Sequence, residues 1–479
     1  MLKTLNRCAV VKKYTRTISS KIQGYDEVNK TNTQNVADFY AGKSIFMTGG
    51  TGFVGKVLIE RLLFNCNDID KVYVLIREKK GASSDERLKQ MFDVPLFDRL
   101  KQEKPQAMNK VVPIGGDLSQ HDLAIRPEDL EQLVEKVSVV FHSAATVRFN
   151  EKIEETMKVN YGGTKKVIEL TKKMRNLDTF LYISTAFSNM HHMIVDEKLY
   201  PPPRTEQEVW DFMKSSDRSA GRFRKFLGEY QNPYTMSKCL CENLVSQEKG
   251  DAKTVIVRPS IVGPCLSSPL PGWLDTWIAN TALFSDISRG MTRVFYGDSS
   301  AVCDMIPVDY VSNFIIIAAA KGASNKELNV YNICSSSVNP ISWKAAADLY
   351  LEESLKHPRF PGQLKPTKAL TFRSPFLVDS LTFALQTVPA AVADLYLKIK
   401  GEKPRHLHEQ KRAVLLRDIL RQFSSPALFI RSDRSRRLIS GLSEEDQLRY
   451  PCDAGAIDWR EYLRILYSGV QKYMFKRNI

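Results

Sequence analysis

A doubly wound α/β fold with a parallel sheet, followed by a smaller helical C-terminal domain, is what this sequence predicts. Three observations carry the prediction. A short apolar strand runs through a glycine-rich turn into an amphipathic helix at residues 43–65, further apolar strands follow it, and the most apolar late stretch, 374–397, reads as helical. With 479 residues and 43% apolar content, the chain can fill two or three cores, which excludes a disordered or low-complexity protein.

The first element is KSIFMTGGTGFVGKVLIERLLFN, beginning at Lys43, with Val54, Leu58 and Leu62 at helical spacing after the turn. Gly49 permits the tight turn, Gly52 lets the backbone approach a pyrophosphate, and Gly55 lets the helix pack closely, with the phosphates at the helix N-terminus. This is the opening of a Rossmann dinucleotide-binding unit. The next strand, KVYVLIREKKG, ends in Arg77, 28 residues after Gly49, where an NAD-preferring protein usually places an acid. Arg77, with Lys79 and Lys80 behind it, suits a 2′-phosphate and predicts NADPH; the plain alternative is a basic strand end at the surface. A third strand, KVVPIGGDL, presents Asp117 and Leu118 where the adenine would lie. The fourth, VSVVFHSAATVRF, ends in Ser143, Ala144 and Ala145, small enough to leave room for the cofactor, while His142 within it reads as a core histidine.

After the strand FLYIST (180–185), Tyr234 follows Thr185 by 49 residues in YTMSKCLCENL. Tyr234 and Lys238 share a helix face, so the ammonium is expected to depress the phenol pKa while the hydroxyl of Thr185 or Ser184 binds the same carbonyl oxygen. This is the relay of short-chain dehydrogenases. Two other Tyr-x-x-x-Lys matches, Tyr161 with Lys165 and Tyr396 with Lys400, follow no strand ending in Ser-Thr.

The net charge of +15 is concentrated in two places. Residues 1–23 carry six basic groups and no acid; residues 398–437 carry twelve basic and four acidic groups. That distribution disfavours nucleic acid as a partner and fits an anionic membrane surface or a phosphorylated substrate, with two solvated charged faces as the alternative. The first 23 residues read equally as a mitochondrial presequence or a basic arm. Eight scattered cysteines without CxxC pairs read as reduced thiols, and no metal site is expected. No run of about 18 uninterrupted apolar residues is present. The most apolar late stretch, 374–397, is interrupted by Asp379, Pro389 and Asp394 and is expected to form a buried or interfacial helical hairpin.

Taken with these motifs, the stretches FYAGKSIFMTGGTGFVGKVLIERLL, VLIREKKG, FHSAATVRFNE, VNYGGT, YISTAFSN, RPSIV, PLPGWLD, DMIPVDYV and YNICSSSVNPISW make the chain resemble the alcohol-forming fatty acyl-CoA reductases, an extended branch of the short-chain dehydrogenase superfamily. The similarity covers about residues 36–475, and VPAAVADLYL, GEKPR and AIDWREYL look like that family's small helical domain. The resemblance implies two-step reduction of a long-chain acyl-CoA by NADPH to a primary alcohol, through an aldehyde that is largely not released. It implies that Gly49, Thr51, Gly52, Phe53, Val54 and Gly55 line the pyrophosphate turn, Arg77 takes the 2′-phosphate, and Asp117 and Leu118 flank adenine. Ala144 and Ala145 would lie along the cofactor's centre, Pro259, Ser260, Ile261 and Val262 by the nicotinamide, and Tyr234 would be the acid with Lys238 its electrostatic partner. It further implies an intracellular membrane-associated enzyme, peroxisomal or of the endoplasmic reticulum.

The implied organisation is a basic arm or targeting segment at 1–35, an NADPH-binding Rossmann domain at 36–350 with insertions after Thr185 and Val262, and a helical domain at 370–479, after a linker marked by HPRFPGQLKP. Residues 218–233 read as a solvated loop or as a lid near the CoA phosphates. Two departures, Thr276 and Trp277 after GWLD and Leu428 or Ala427 where the family carries a Trp, bear on the acyl pocket and not on the redox chemistry. The competing readings are another extended short-chain dehydrogenase, of sterol-dehydrogenase or epimerase type, and a catalytically silent NADPH-binding scaffold at a membrane.

Overall fold

The computed structural model describes residues 35–79, 81–149, 151–217, 219–323, 327–358, 366–424 and 428–477. Residues 1–34 of the expected arm, including Cys8, together with Lys80, Arg218, Ala427 and linker residues 359–365, lie outside the described residues.

Seven strands form one parallel sheet: β1 (Ser44–Thr48), β2 (Val72–Ile76), β3 (Val111–Gly115), β4 (Val137–His142), β5 (Thr179–Ile183), β6 (Lys253–Pro259) and β7 (Asn329–Ile333). They are ordered β7-β6-β5-β4-β1-β2-β3, every pair parallel. The order reverses between β1 and β4, and the crevice at the carboxyl ends of those strands is where an open sheet of this kind receives a dinucleotide. The strands are apolar throughout because both faces are covered. Ile45 and Met47 enter one core and Phe46 the other; Val72, Val74 and Ile76 alternate with Tyr73 and Leu75 in the same way.

On the first face lie α1 (Phe53–Asn65) and, later in the chain, a second long helix, Val308–Lys321; on the opposite face lie α2 (Gly163–Thr171) and α3 (Pro233–Glu248). Numbering onward, Val308–Lys321 is α4, Trp343–Leu355 is α5, Pro375–Ile399 is α6, His406–Ser424 is α7 and Trp459–Gly469 is α8. The C-terminal helices are stitched to the sheet domain by two short parallel pairings, Leu370–Phe372 with Val294–Tyr296 and Phe429–Ile430 with Ile194–Val195. Tyr462, Leu463 and Leu466 of α8 belong to the same core as β1 and α1, and the Tyr462 hydroxyl donates to Pro264 O at 2.9 Å. The contact is close enough that a Cβ on Gly469 would sit 1.9 Å from Gly272 O.

Two expectations need correction. Residues 375–399 are one continuous helix, not a hairpin. Pro389 falls just after a π-helical turn, Phe383–Thr387, where the regular backbone ladder is already interrupted, so its missing N–H and its ring are accommodated. By length and composition alone this 25-residue helix is long and apolar enough to cross a membrane, its most apolar 18 residues having a mean hydropathy of 1.4, and most of that stretch is not buried in the protein. Likewise, the 218–233 stretch holds a helix, Ala220–Leu227, whose N-terminus is capped by the Ser219 hydroxyl accepting from Arg222 N at 3.3 Å. Phe226, Leu227 and Tyr230 anchor it in the second core, leaving Arg224 and Lys225 outward. The seven described cysteines are all free and buried.

Candidate active site

The glycine turn is set by contacts a side chain could not survive. Gly49 has φ +75°, and a Cβ there would lie 2.7 Å from Ala144 N. On Gly55 a Cβ would lie 2.2 Å from Gly49 O, so the first turn of α1 is seated on the turn itself. Gly52 is the N-cap of α1 and offers no side-chain cap, and a Cβ there would meet nothing nearer than Gly49 O at 3.2 Å. The leading N–H groups of α1 therefore face an open approach, which is the arrangement a pyrophosphate requires. Thr51, Phe53 and Val54 flank this opening, half-buried, with the Phe53 ring stacked on Trp273 at 5.5 Å.

At the edge of the crevice, the Arg77 guanidinium, 58% exposed, stands 3.6 Å from the Asp117 carboxylate. Burial acts to raise the Asp117 pKa, but the Ser119 N–H and hydroxyl, each donating at 2.8 Å, and the Arg77 charge hold it below the usual value. Leu118 instead turns its side chain into the second core, against Gly163. Ala144 and Ala145 are half-buried beside the turn, with Ala144 N donating to Thr48 Oγ1 at 3.2 Å. Pro259 and Ser260 are buried at the end of β6, while Ile261 and Val262 are half-buried against the first core.

Tyr234 and Lys238 lie one turn apart on α3, whose N-terminus is fixed by Pro233 and by Asn232, the side chain of which accepts from Thr235 N at 2.8 Å. Burial raises the Tyr234 phenol pKa and the Thr185 hydroxyl draws it partly back. The expected depression by Lys238 is absent. The Lys238 ammonium donates to Ile183 O at 2.6 Å and to the Tyr182 hydroxyl at 3.1 Å, and burial lowers its pKa to about 8. Of the two candidate hydroxyls only Thr185 addresses Tyr234, since Ser184 donates to the Glu242 carboxylate. His142 is buried between Thr48 (2.7 Å) and Thr164 (2.9 Å), and burial, then the charge of Lys238, lowers its pKa to about 3, so it is a neutral core group. The other two Tyr-x-x-x-Lys pairs lie elsewhere: Lys165 is paired with Glu206, and Tyr396 is 55% exposed on α6.

Several residues at this site were not anticipated from the sequence. Glu242 and Arg258 form an ion pair with both side chains fully buried, Arg258 Nε donating at 2.8 Å. Asn160, in a π-helical turn (Met157–Gly162) before α2, receives Thr146 N at 2.8 Å and donates to Ser237 Oγ at 2.9 Å. Phe149 meets the Tyr234 ring edge-on at 5.7 Å and Phe423 of α7 at 5.4 Å, and Phe423 also meets Phe187 at 5.0 Å. A wall of aromatic rings thus stands beside the phenol. A lone arginine in the apolar strand TVIVRP was a legible sign of a buried ion pair; nothing local pointed to Phe423.

Two modules of the family described as "Male sterility protein" match the chain, an NAD-binding module over residues 47–315 and a C-terminal module over residues 385–477. Fatty acyl-CoA reductase 1 of Rattus norvegicus is 33% identical over 449 residues, covering 93% of this chain and 87% of that protein. Fatty acyl-CoA reductase 2 of Mus musculus is 34% identical over 448 residues, with the same coverage of 93% and 87%. Among solved structures, the terminal R domain of the myxalamid PKS-NRPS pathway superposes with a TM-score of 0.60 at 18% identity, covering 91% of this chain and 92% of that one. The NAD complex of UDP-glucuronic acid 4-epimerase from Bacillus cereus gives 0.51 at 16% identity, covering 90% and 96%; both likenesses concern the fold.

The buried ion pair generates a prediction of its own. Arg258→Met alone leaves the Glu242 carboxylate buried without its partner and should cost about 3–5 kcal/mol of stability, whereas the double variant Glu242→Met/Arg258→Met should recover most of that loss. Urea unfolding of the three proteins measures it. Equal stability of the single variant and the parent would show that the pair does not hold this site together.

Proposed function

The chain belongs to the fatty acyl-CoA reductase family, an NAD(P)-binding oxidoreductase family of lipid metabolism, and from that premise we propose that it reduces a long-chain acyl-CoA to the primary alcohol in two NADPH-dependent steps, releasing CoA. The observation that carries the proposal is the convergence of the Thr185 hydroxyl and the Tyr234 phenol beside an open dinucleotide turn, with the Phe149 and Phe423 rings forming an apolar wall next to the phenol. In this reading, residues 36–350 supply the cofactor site and the relay, and residues 370–479 close the acyl side. We further propose association with an intracellular membrane, of the peroxisome or the endoplasmic reticulum.

Bound NADPH supplies hydride to the thioester carbonyl carbon and, in a second round, to the aldehyde carbon. The remaining chemistry falls to the chain. Because burial keeps the Tyr234 phenol protonated well above neutrality, it is available as a proton donor to the carbonyl oxygen as charge develops there, and Thr185 gives that oxygen a second hydrogen bond. Lys238, charged below about pH 8, holds a positive field under the site from its seat on Ile183 O and Tyr182. The hemithioacetal then collapses as its C–S bond breaks and CoA departs with a proton as the thiol. The aldehyde left behind meets the same Tyr234 and Thr185, so one oxygen site serves both reductions. Arg77, more than half exposed beside Asp117, is the group offered to the 2′-phosphate.

Purified protein given NADPH and a chain-length series of acyl-CoAs should form alcohol at about two NADPH per acyl group. Tyr234→Phe and Thr185→Ala should each lower kcat about 100-fold or more with NADPH still bound, whereas Ser184→Ala should retain turnover within about threefold. Near-full activity in Tyr234→Phe would sink the relay, and no alcohol from any acyl-CoA would sink the reductase. Arg77→Glu should raise KM for NADPH about tenfold or more and leave NADH little changed, as read from initial rates; an equal effect on both rejects its phosphate role. For pH the sign follows from Lys238, charged below and neutral above about 8, so kcat/KM should fall as pH rises through that value. Lys238→Arg should remove that falling limb, and a parent profile flat to about pH 10 would exclude Lys238 as its source.

A further inference from the structure

Helix α6 is built inside out for a surface helix. Four of its polar side chains, Thr382, Gln386, Thr387 and Asp394, turn to partners in the body of the protein, while Ser380, Tyr396 and Lys398 are exposed. Thr382 accepts from Arg417 at 2.7 Å, Gln386 accepts from Arg293 N and Val294 N at 2.9 Å each, and Thr387 accepts from Gln410 at 3.0 Å. Asp394 caps α7 by accepting from the backbone N–H groups of Arg405, His406 and Leu407 at 2.9, 2.8 and 3.0 Å. The opposite face carries large apolar side chains into the open: Phe376 is 78% exposed, Phe383 63%, Val392 61%, Leu395 59% and Ile399 76%. Such a stripe on one element is not ordinary scatter of surface leucines.

The stripe has no route back into the core, because rotating the helix to hide it would strip Gln386, Thr387 and Asp394 of their partners. For the same reason the helix is not free to stand upright across a bilayer, since leaving α7 would take Asp379 and Asp394 into hydrocarbon without the groups that now bind them. At the C-terminal end of the stripe, Lys398, Lys400, Lys403 and Arg405 are all exposed, against the single acid Glu402, and the Lys400 ammonium lies 4.7 Å from the ring of Tyr396. Two copies meeting along the stripe with their helices parallel would bring these like charges together, and antiparallel copies would leave them without counter-charge, whereas anionic headgroups would neutralise them while the apolar stripe enters the acyl layer.

We propose that Pro375–Ile399 is a monotopic membrane-docking helix that lies flat in one leaflet of an anionic bilayer, with Phe376, Phe383, Val392, Leu395 and Ile399 immersed and the lysines at its end on the headgroups. The inference rests on the membrane-associated reading above and is independent of the redox chemistry.

The test is flotation of the full chain with sealed vesicles of phosphatidylcholine, with and without phosphatidylserine. The parent protein should float with the phosphatidylserine vesicles, and Val392→Glu/Leu395→Glu should lower the bound fraction about tenfold. Lys398→Gln/Lys400→Gln should lower it less and remove most of its salt dependence. Both variants should retain the parent's circular dichroism and its NADPH-dependent turnover of a short, water-soluble acyl-CoA. Parent and Val392→Glu/Leu395→Glu floating equally would leave the membrane reading standing and overturn this helix as its basis. No flotation of the parent would overturn both, and a lipid-free dimer dissolved by the same substitutions would assign the face to a second copy instead. Resistance of the parent to alkaline carbonate extraction would overturn the flat orientation in favour of a spanning one.

Discussion

The fully buried ion pair between Glu242 and Arg258 is the constraint on which the candidate site depends. Glu242 stands on the same face of α3 as Tyr234 and Lys238, at successive intervals of four residues, so whatever fixes Glu242 fixes the azimuth of the relay. Arg258 lies in β6, immediately before the Pro259–Val262 segment proposed to meet the nicotinamide. Its guanidinium also donates to Asp196 O at 3.1 Å and Lys198 O at 3.0 Å, drawing in the insertion after β5. Ser188 and Ser184 donate to the same carboxylate, which turns the Ser184 side chain inward and leaves Thr185, the next residue, on the crevice side. Helix, strand and turn are thus registered to one another through a single carboxylate. Isolated burial of either charge is costly, so the register is held as a unit rather than piece by piece.

Burial also divides the titrating groups by role. The same desolvation raises the Tyr234 phenol and lowers the Lys238 ammonium, so each is pushed towards its neutral form. In the proposed reduction the tyrosine would consequently serve as a proton donor, and not as a phenolate poised to take a proton. Lys238 contributes through position as much as charge: its bonds to Ile183 O and Tyr182 anchor α3 to the end of β5, directly below Ser184 and Thr185. His142, neutral between two threonine hydroxyls, completes this buried layer without entering the chemistry.

What was legible in the sequence and what was not divides along the distance over which each feature is decided. Gly49 and Gly55 were readable because their reasons are local, a left-handed backbone and a helix turn seated on the preceding loop. The apolar strands were readable from their short apolar runs, and the shared helix face of Tyr234 and Lys238 from their spacing together with the strand ending in Ser-Thr before them. The choice between Ser184 and Thr185 was not, because it is made by Glu242, 58 residues further along. Arg77 and Asp117 could be placed on successive strand ends, but their mutual contact depends on the parallel pairing of β2 with β3. In α6, Pro389 and Asp394 looked like interruptions that would fold the segment into a hairpin. The structure makes them part of one helix, because a π turn absorbs the proline and Asp394 finds three N–H donors at the start of α7.

Helix α7 then joins the two ends of the functional reading. Its first turn is capped by Asp394 of α6, the helix with the outward apolar face, and its last turn carries Phe423 to within ring contact of Phe149, itself against Tyr234. Its 19 residues make it about 28 Å long, and its second half is tied to both neighbours: Arg417 donates to Thr382 and Asp379 of α6, and Gln422 accepts from Asn232 at the cap of α3, at 2.6 Å. The C-terminal region is therefore not an appendage beside a complete reductase. Removing it would take away the aromatic wall next to the phenol and the bond at the N-terminus of α3, so the surroundings of Tyr234 depend on residues almost two hundred positions further along the chain.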